Sequence, residues 1–170
     1  GPSWHKKKSG TPTMGGIIFI ISAVLSGLFF AFSQKSAAVI ICAILFGLIG
    51  FVDDYIKVVK KRNLGLTAIQ KFSMQLAVTI IYTVYLLYAG LIDGNVLLPF
   101  AGSINFGIFF IPLVIFVMLA TVNSVNLTDG LDGLASFVTL FVALFFALAA
   151  QKLGASEIVV ISVALCGALC

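Results

Sequence analysis

Long apolar runs separated by short polar segments set the pattern of the chain. Six runs stand out, at about residues 14–32, 37–52, 74–92, 108–122, 134–150 and 158–170. A helix needs about 20 apolar residues to cross a bilayer, so most of these runs are long enough or nearly so. They are apolar on all sides and show no strand-like alternation. Backbone left unpaired in lipid costs several kcal/mol per group, so each run is predicted to be helical. The fold class expected is all-α: a polytopic integral membrane bundle of about six transmembrane helices. No internal repeat or second domain interrupts it, so residues 1–170 read as a single transmembrane domain.

Composition agrees. Of the 170 residues, 61% are hydrophobic and 9% charged, against about 25% charged in ordinary soluble domains. A packed soluble core cannot absorb that much apolar surface. The first run follows a lysine cluster but is too long for a cleaved leader and has no small-residue cleavage site. Cys42, Cys166 and Cys170 lie in apolar runs, without the spacing of a zinc site or a disulfide framework.

The charges give an orientation. Six crossings divide the polar segments into two sets. One set comprises residues 1–13, 53–72 and 123–133, and carries eight of the ten Lys and Arg residues; the other set holds only Lys35 and Lys152. The positive-inside rule places the first set in the cytoplasm. It also explains the net charge of +4 without a nucleic-acid partner. Asp53, Asp54, Asp129 and Asp132, four of the six acids, fall in the same set. Acids contribute little to topology, so their clustering needs a chemical reason.

Three polar blocks carry that chemistry. The first is Phe51-Val52-Asp53-Asp54-Tyr55-Ile56-Lys57. On a helix Asp53 and Lys57 share a face, and Asp54 sits about 100° further round. Charges at a membrane boundary often do no more than mark it. Two adjacent carboxylates at a helix C-terminus, however, repel each other and oppose the macrodipole. Lys57 or a divalent cation must offset that. The second block runs from Asn123 to Ala135, with polar residues every three positions at Asn123, Asn126, Asp129 and Asp132. On a continuous helix the last three cover about 120° of surface. A plain turn needs Asn, Asp and Gly but not that register. A calcium loop would need alternating ligands and a distant Glu, which are missing. The third block, Lys6 to Gly16, reads either as an anchor leading into a helix, with Thr11 as cap and Pro12 in the first turn, or as an anion-binding helix start. Lys71 stands apart from the basic 60–62 run, where it could reach a phosphate. His5 reads as a surface residue.

Together the blocks resemble the phospho-N-acetylmuramoyl-pentapeptide transferases, the MraY family. The matching residues are Gly10-Thr11-Pro12-Thr13-Met14-Gly15-Gly16, then Phe51-Val52-Asp53-Asp54-Tyr55 with Lys57, then Asn126-Leu127-Thr128-Asp129-Gly130-Leu131-Asp132-Gly133-Leu134-Ala135. The last two blocks are similar to the wider superfamily of polyprenyl-phosphate hexosamine-1-phosphate transferases. The first block, and Lys rather than Asp at position 57, resemble the muramoyl-pentapeptide branch.

The resemblance implies a ten-helix protein about twice this length in the bacterial inner membrane, with its active site facing the cytoplasm. It implies magnesium-dependent transfer of phospho-N-acetylmuramoyl-pentapeptide from UDP to undecaprenyl phosphate, giving lipid I and UMP in peptidoglycan synthesis. It also implies a homodimer. Asp53, Asp54 and Lys57 would be catalytic; Lys8, Thr13, Lys71, Asn126, Asp129 and Asp132 would bind substrate. Asp53 and Asp54 would contact Mg2+, with the main magnesium Asp expected beyond Cys170. Residues 1–170 alone are therefore expected to be inactive. The family role of Asp53 as a base for the lipid phosphate is weakened by chemistry. A phosphomonoester has a second pKa near 6 and is mostly dianionic at pH 7. Asp53 and Asp54 are expected mainly to orient phosphate and metal. The alternatives are another hexosamine-1-phosphate transferase or a transporter. A transporter would place its polar residues near mid-membrane rather than at one face.

Overall fold

The structure, a computed structural model, describes residues 16–59, 65–98, 102–130 and 133–170. Six α-helices make up nearly all of it: α1 Gly16–Phe30, α2 Gln34–Val59, α3 Ala68–Tyr88, α4 Phe110–Thr128, α5 Leu134–Lys152 and α6 Ser156–Leu169. α2, α3, α4 with its leading 3₁₀ turn, and α5 are long and apolar enough to cross a membrane; α1 and α6 are apolar but shorter, at 15 and 14 residues. The chain is a polytopic all-α membrane protein segment, as its apolar runs predict.

Burial is inverted relative to a soluble protein. Phe29, Phe30, Ile81, Phe116 and Phe145 are exposed, while Gln75, Thr79, Thr83 and Ser36 are the most deeply buried side chains. In a membrane protein large apolar side chains can face lipid while small or polar ones mediate helix contact. On α5 the buried positions are Ala143, Ala147 and Ala150, one face at helical spacing, which lets α6 pack closely along it. In packing order the helices run α4, α3, α2, α1, α6, α5, and α5 touches α4 only lightly.

Three helix boundaries that shape the site differ from the sequence expectation: the end of α2, the start of α3 and the end of α4, which runs to Thr128 rather than residue 122. α2 does not stop at Val52 but continues to Val59. Its 26 residues measure about 39 Å, some 9 Å more than a hydrocarbon core of about 30 Å. Asp53, Asp54 and Lys57 therefore ride on a helical extension beyond the apolar span, not in a loop. α3 begins at Ala68, six residues before the apolar run. The hydroxyl oxygen of its N-cap Thr67 accepts the Gln70 N–H, and the Thr67 N–H donates to Gln70 Oε1, a capping box. Lys71 is thus a first-turn residue of α3. Between α3 and α4 a short antiparallel hairpin, β1 Asn95–Leu98 and β2 Gly102–Asn105, pairs Asn95 with Asn105 and Val96 with Ile104. It lies at the end of α3 remote from Lys71.

Candidate active site

The site is built where the extended end of α2 meets the start of α3 and the end of α4. Asp53 is buried. Its Oδ2 lies 2.8 Å from the Lys57 Nζ, one helical turn on, and 3.7 Å from the Lys71 Nζ of α3. Its Oδ1 accepts the backbone N–H of Leu66 at 2.8 Å. Lys57 also donates to Asp54 Oδ1 at 2.9 Å, so one ammonium bridges both carboxylates despite their angular separation. Lys71 in turn donates to Asn126 Oδ1 on α4 at 2.8 Å. One connected set of charges and dipoles, Asp54–Lys57–Asp53–Lys71–Asn126, joins three helices.

The electrostatics follow from these distances. Burial pushes the Asp53 carboxyl upward. The Lys57 hydrogen bond, the Leu66 N–H and the charges of Lys57 and Lys71 outweigh it, holding the carboxyl below its ordinary value. The Asp53 hydrogen bond holds the Lys57 ammonium above its ordinary value against the opposing effect of burial, with Asp54 adding to the rise. Asp53 is thus held as a carboxylate between two cations. Lys57 bridges the two carboxylates and remains partly exposed.

Leu66 and Gly65 were not legible as site residues. A Cβ at Gly65 would collide with the Asp53 side chain and lie 2.6 Å from the Asp53 backbone oxygen and 2.9 Å from Lys57 Cε. The missing side chain lets the 65–67 segment lie against α2, and that approach delivers the Leu66 N–H to Asp53. The available signal was Gly65 itself, placed just before the Thr67 cap.

Beyond Asn126 the expected register breaks. α4 ends at Thr128, Asp129 has left the helical region (φ −76°, ψ 47°), and Gly133 is left-handed at φ 82° before α5 begins. The 120° arc expected of Asn126, Asp129 and Asp132 requires a continuous helix, which this turn interrupts. Asp129 is exposed and stands outside the Asp53–Lys71–Asn126 network. Lys8, Thr13 and Asp132 lie outside the described residues.

Lys57 Nζ lies within 2.9 Å of a carboxylate oxygen of both Asp53 and Asp54, where a shared divalent ion would have to sit. Both Asp53 oxygens already have partners. No group of three or more His, Cys, Asp or Glu residues forms a cation site among the described residues. In this arrangement the Lys57 ammonium holds the Asp53–Asp54 pair. An apolar groove between α1 and α2, lined by Ile17, Ile20, Gly47 and Phe51, opens beside Asp54.

With this geometry in place, comparison with known proteins is decisive at the family level. The pattern of glycosyl transferase family 4 matches residues 36–170, which include all three helices of the site. The chain belongs to glycosyl transferase family 4. The first signature of the phospho-N-acetylmuramoyl-pentapeptide-transferases matches residues 8–20. Proteins bearing that transferase name are similar over 99% of this chain. They include those of Clostridium botulinum (strain Alaska E43 / Type E3) and Clostridioides difficile (strain 630), each 46% identical, and of Halalkalibacterium halodurans, 43% identical. The chain covers 52%, 53% and 54% of their lengths, respectively. It therefore spans about half the length of the curated relatives it matches.

Proposed function

We propose that the whole protein transfers phospho-N-acetylmuramoyl-pentapeptide from its UDP carrier to undecaprenyl phosphate, releasing UMP and forming lipid I on the cytoplasmic face of the membrane. The observation that carries this reading is Lys71, whose ammonium lies between Asp53 and Asn126. It links two motif blocks that the sequence keeps far apart. Transferases of this kind must gather several phosphate charges, and phosphoryl transfer is chiefly positioning and charge stabilisation. Lys57 and Lys71 supply fixed positive charge, and Asn126 supplies an amide beside it. The groove opening beside Asp54 supports a substrate that arrives on a lipid.

In this reading Asp53 holds Lys57 and Lys71 in register for the phosphates. A carboxylate stabilised by two cations and a backbone N–H is a weak proton acceptor, and the lipid phosphate is already mostly dianionic at neutral pH. Magnesium belongs to the proposal as a counter-ion for substrate phosphate, with Asp53 and Asp54 the carboxylates on this chain that would face it. The homodimer belongs to the same reading and rests on family resemblance.

The test is turnover by the full-length protein in detergent or vesicles, supplied with undecaprenyl phosphate and a panel of UDP-sugars. UMP release with UDP-MurNAc-pentapeptide, and not with UDP-N-acetylglucosamine, is expected. Equal turnover of the simpler sugar would point to a different branch of the family.

A further inference from the structure

One turn below the Lys71–Asn126 contact, α3 and α4 are joined a second time. Asn123 Nδ2 donates to Gln75 Oε1 at 2.9 Å and to the Leu119 carbonyl at 2.8 Å. Gln75 lies four residues after Lys71 on α3, and Asn123 three before Asn126 on α4, so each pair occupies successive rungs of one antiparallel helix contact. Gln75 is 1% exposed, among the most deeply buried side chains described. A fully buried primary amide in an apolar helix costs free energy unless its partner is fixed. Below Gln75 the stripe continues with Thr79 and Thr83, which turn back to carbonyls of their own helix and make no interhelical bond. Gln75 is therefore where the buried polar stripe of α3 reaches across to α4.

Among the described residues, these two side-chain bonds are the polar ties between α3 and α4. Among the described helices α4 packs chiefly on α3 and only lightly on α5. The upper tie is open to solvent; the lower one is part-buried, with its Gln75 end fully enclosed.

We propose that the Gln75–Asn123 hydrogen bond is a positioning clamp that fixes the rotation of α4 so that Asn126 meets Lys71 and Lys71 meets Asp53. Gln75 and Asn123 are positioning residues: they touch the charged site only through the next rung. This proposal rests on the transferase reading for its activity readout, and one readout below is independent of it.

The experiment uses the full-length protein. Gln75→Leu keeps similar volume and removes the acceptor; Gln75→Asn shortens the side chain by one methylene and serves if the leucine variant fails to fold. Gln75→Asn combined with Asn123→Gln moves that methylene across the contact and restores its reach. A misplacement of about 1 Å costs on the order of 100-fold in rate. Each single variant is expected to lose kcat on that scale per folded molecule, and the exchanged pair to regain most of it. Backbone hydrogen exchange over 124–128 should accelerate about tenfold or more in Gln75→Leu while the first turn of α4 stays unchanged. Turnover per folded molecule within twofold of wild type, or no gain on exchange, overturns the clamp, as does unaltered exchange over 124–128. If the wild-type protein shows no transferase activity, the reaction assignment fails, and the exchange measurement still decides the clamp.

Discussion

The Lys71 ammonium donates to the Asn126 amide oxygen at 2.8 Å, across 55 positions of sequence. The same ammonium stands 3.7 Å from the Asp53 carboxylate. A lysine at the first turn of α3 therefore couples the acidic end of α2 to the polar end of α4. Its length and flexibility suit it to carry charge to a phosphate while its stem stays packed.

Removing that charge should cost more than removing an ordinary surface lysine. Lys71→Met in the full-length protein is expected to lower kcat/KM by about 100-fold, the scale seen when one preorganised donor to developing charge is lost. Lys71→Arg should recover only part of it, because a planar fork does not fit the single-point contact with Asn126. Steady-state UMP release measures both.

Gly65 is predicted to be intolerant of any side chain. Gly65→Ala drives a methyl into the Asp53 side chain and backbone, so the 65–67 segment must lift and the Leu66 N–H must leave Oδ1. A loss of about 1–3 kcal/mol is expected from the overpacking. It should appear as a lower melting temperature in detergent together with a drop in turnover. An unchanged melting temperature with normal turnover would show that the segment accommodates a Cβ.

The pH response separates the two roles for Asp53. Its carboxyl is held below the ordinary value, so the stability it contributes is fully present above the unfolded carboxyl value of about 3.9. That stability is lost only as pH falls through the lower folded value. Between pH 5 and 9 its ionisation should therefore leave no limb in either stability or rate. Asp53→Asn is expected to be slow across that whole range. Recovery of the variant by pH 8.5 after loss at pH 6 would restore the base role.

The N-cap of α3 offers a test of architecture. Thr67→Ala breaks the capping box and should cost about 1 kcal/mol. Because Lys71 sits in the turn that this box starts, turnover should fall as well; thermal melts and initial rates on one preparation show both.

Much of this arrangement was legible in the sequence, for identifiable reasons. Helix count followed from all-round apolarity, and the Asp53–Lys57 pairing from i,i+4 spacing. The end of α2 was misplaced because apolarity marks where lipid stops, not where a helix stops. The start of α3 was obscured likewise, although Thr67 and Gln70 formed a readable capping box. The β1–β2 hairpin was missed because its four-residue strands carry little alternation. The break after Thr128 was foreshadowed by Gly130 and Gly133, but the three-residue polar spacing suggested a continuous helix. Leu66 contributes only a backbone N–H, which no side-chain pattern reveals. Gln75 lay within an apolar run, and its partner depends on how two helices rotate against each other.

The most direct test of the joined site is a double-mutant cycle on Lys71→Met and Asn126→Ala in the full-length protein, read as kcat/KM for UMP release. If Lys71 and Asn126 act as one unit, the double variant should be no more than about twofold slower than the worse single variant, as for groups that function together. Losses that multiply would contradict it, placing the two motif blocks in separate functions.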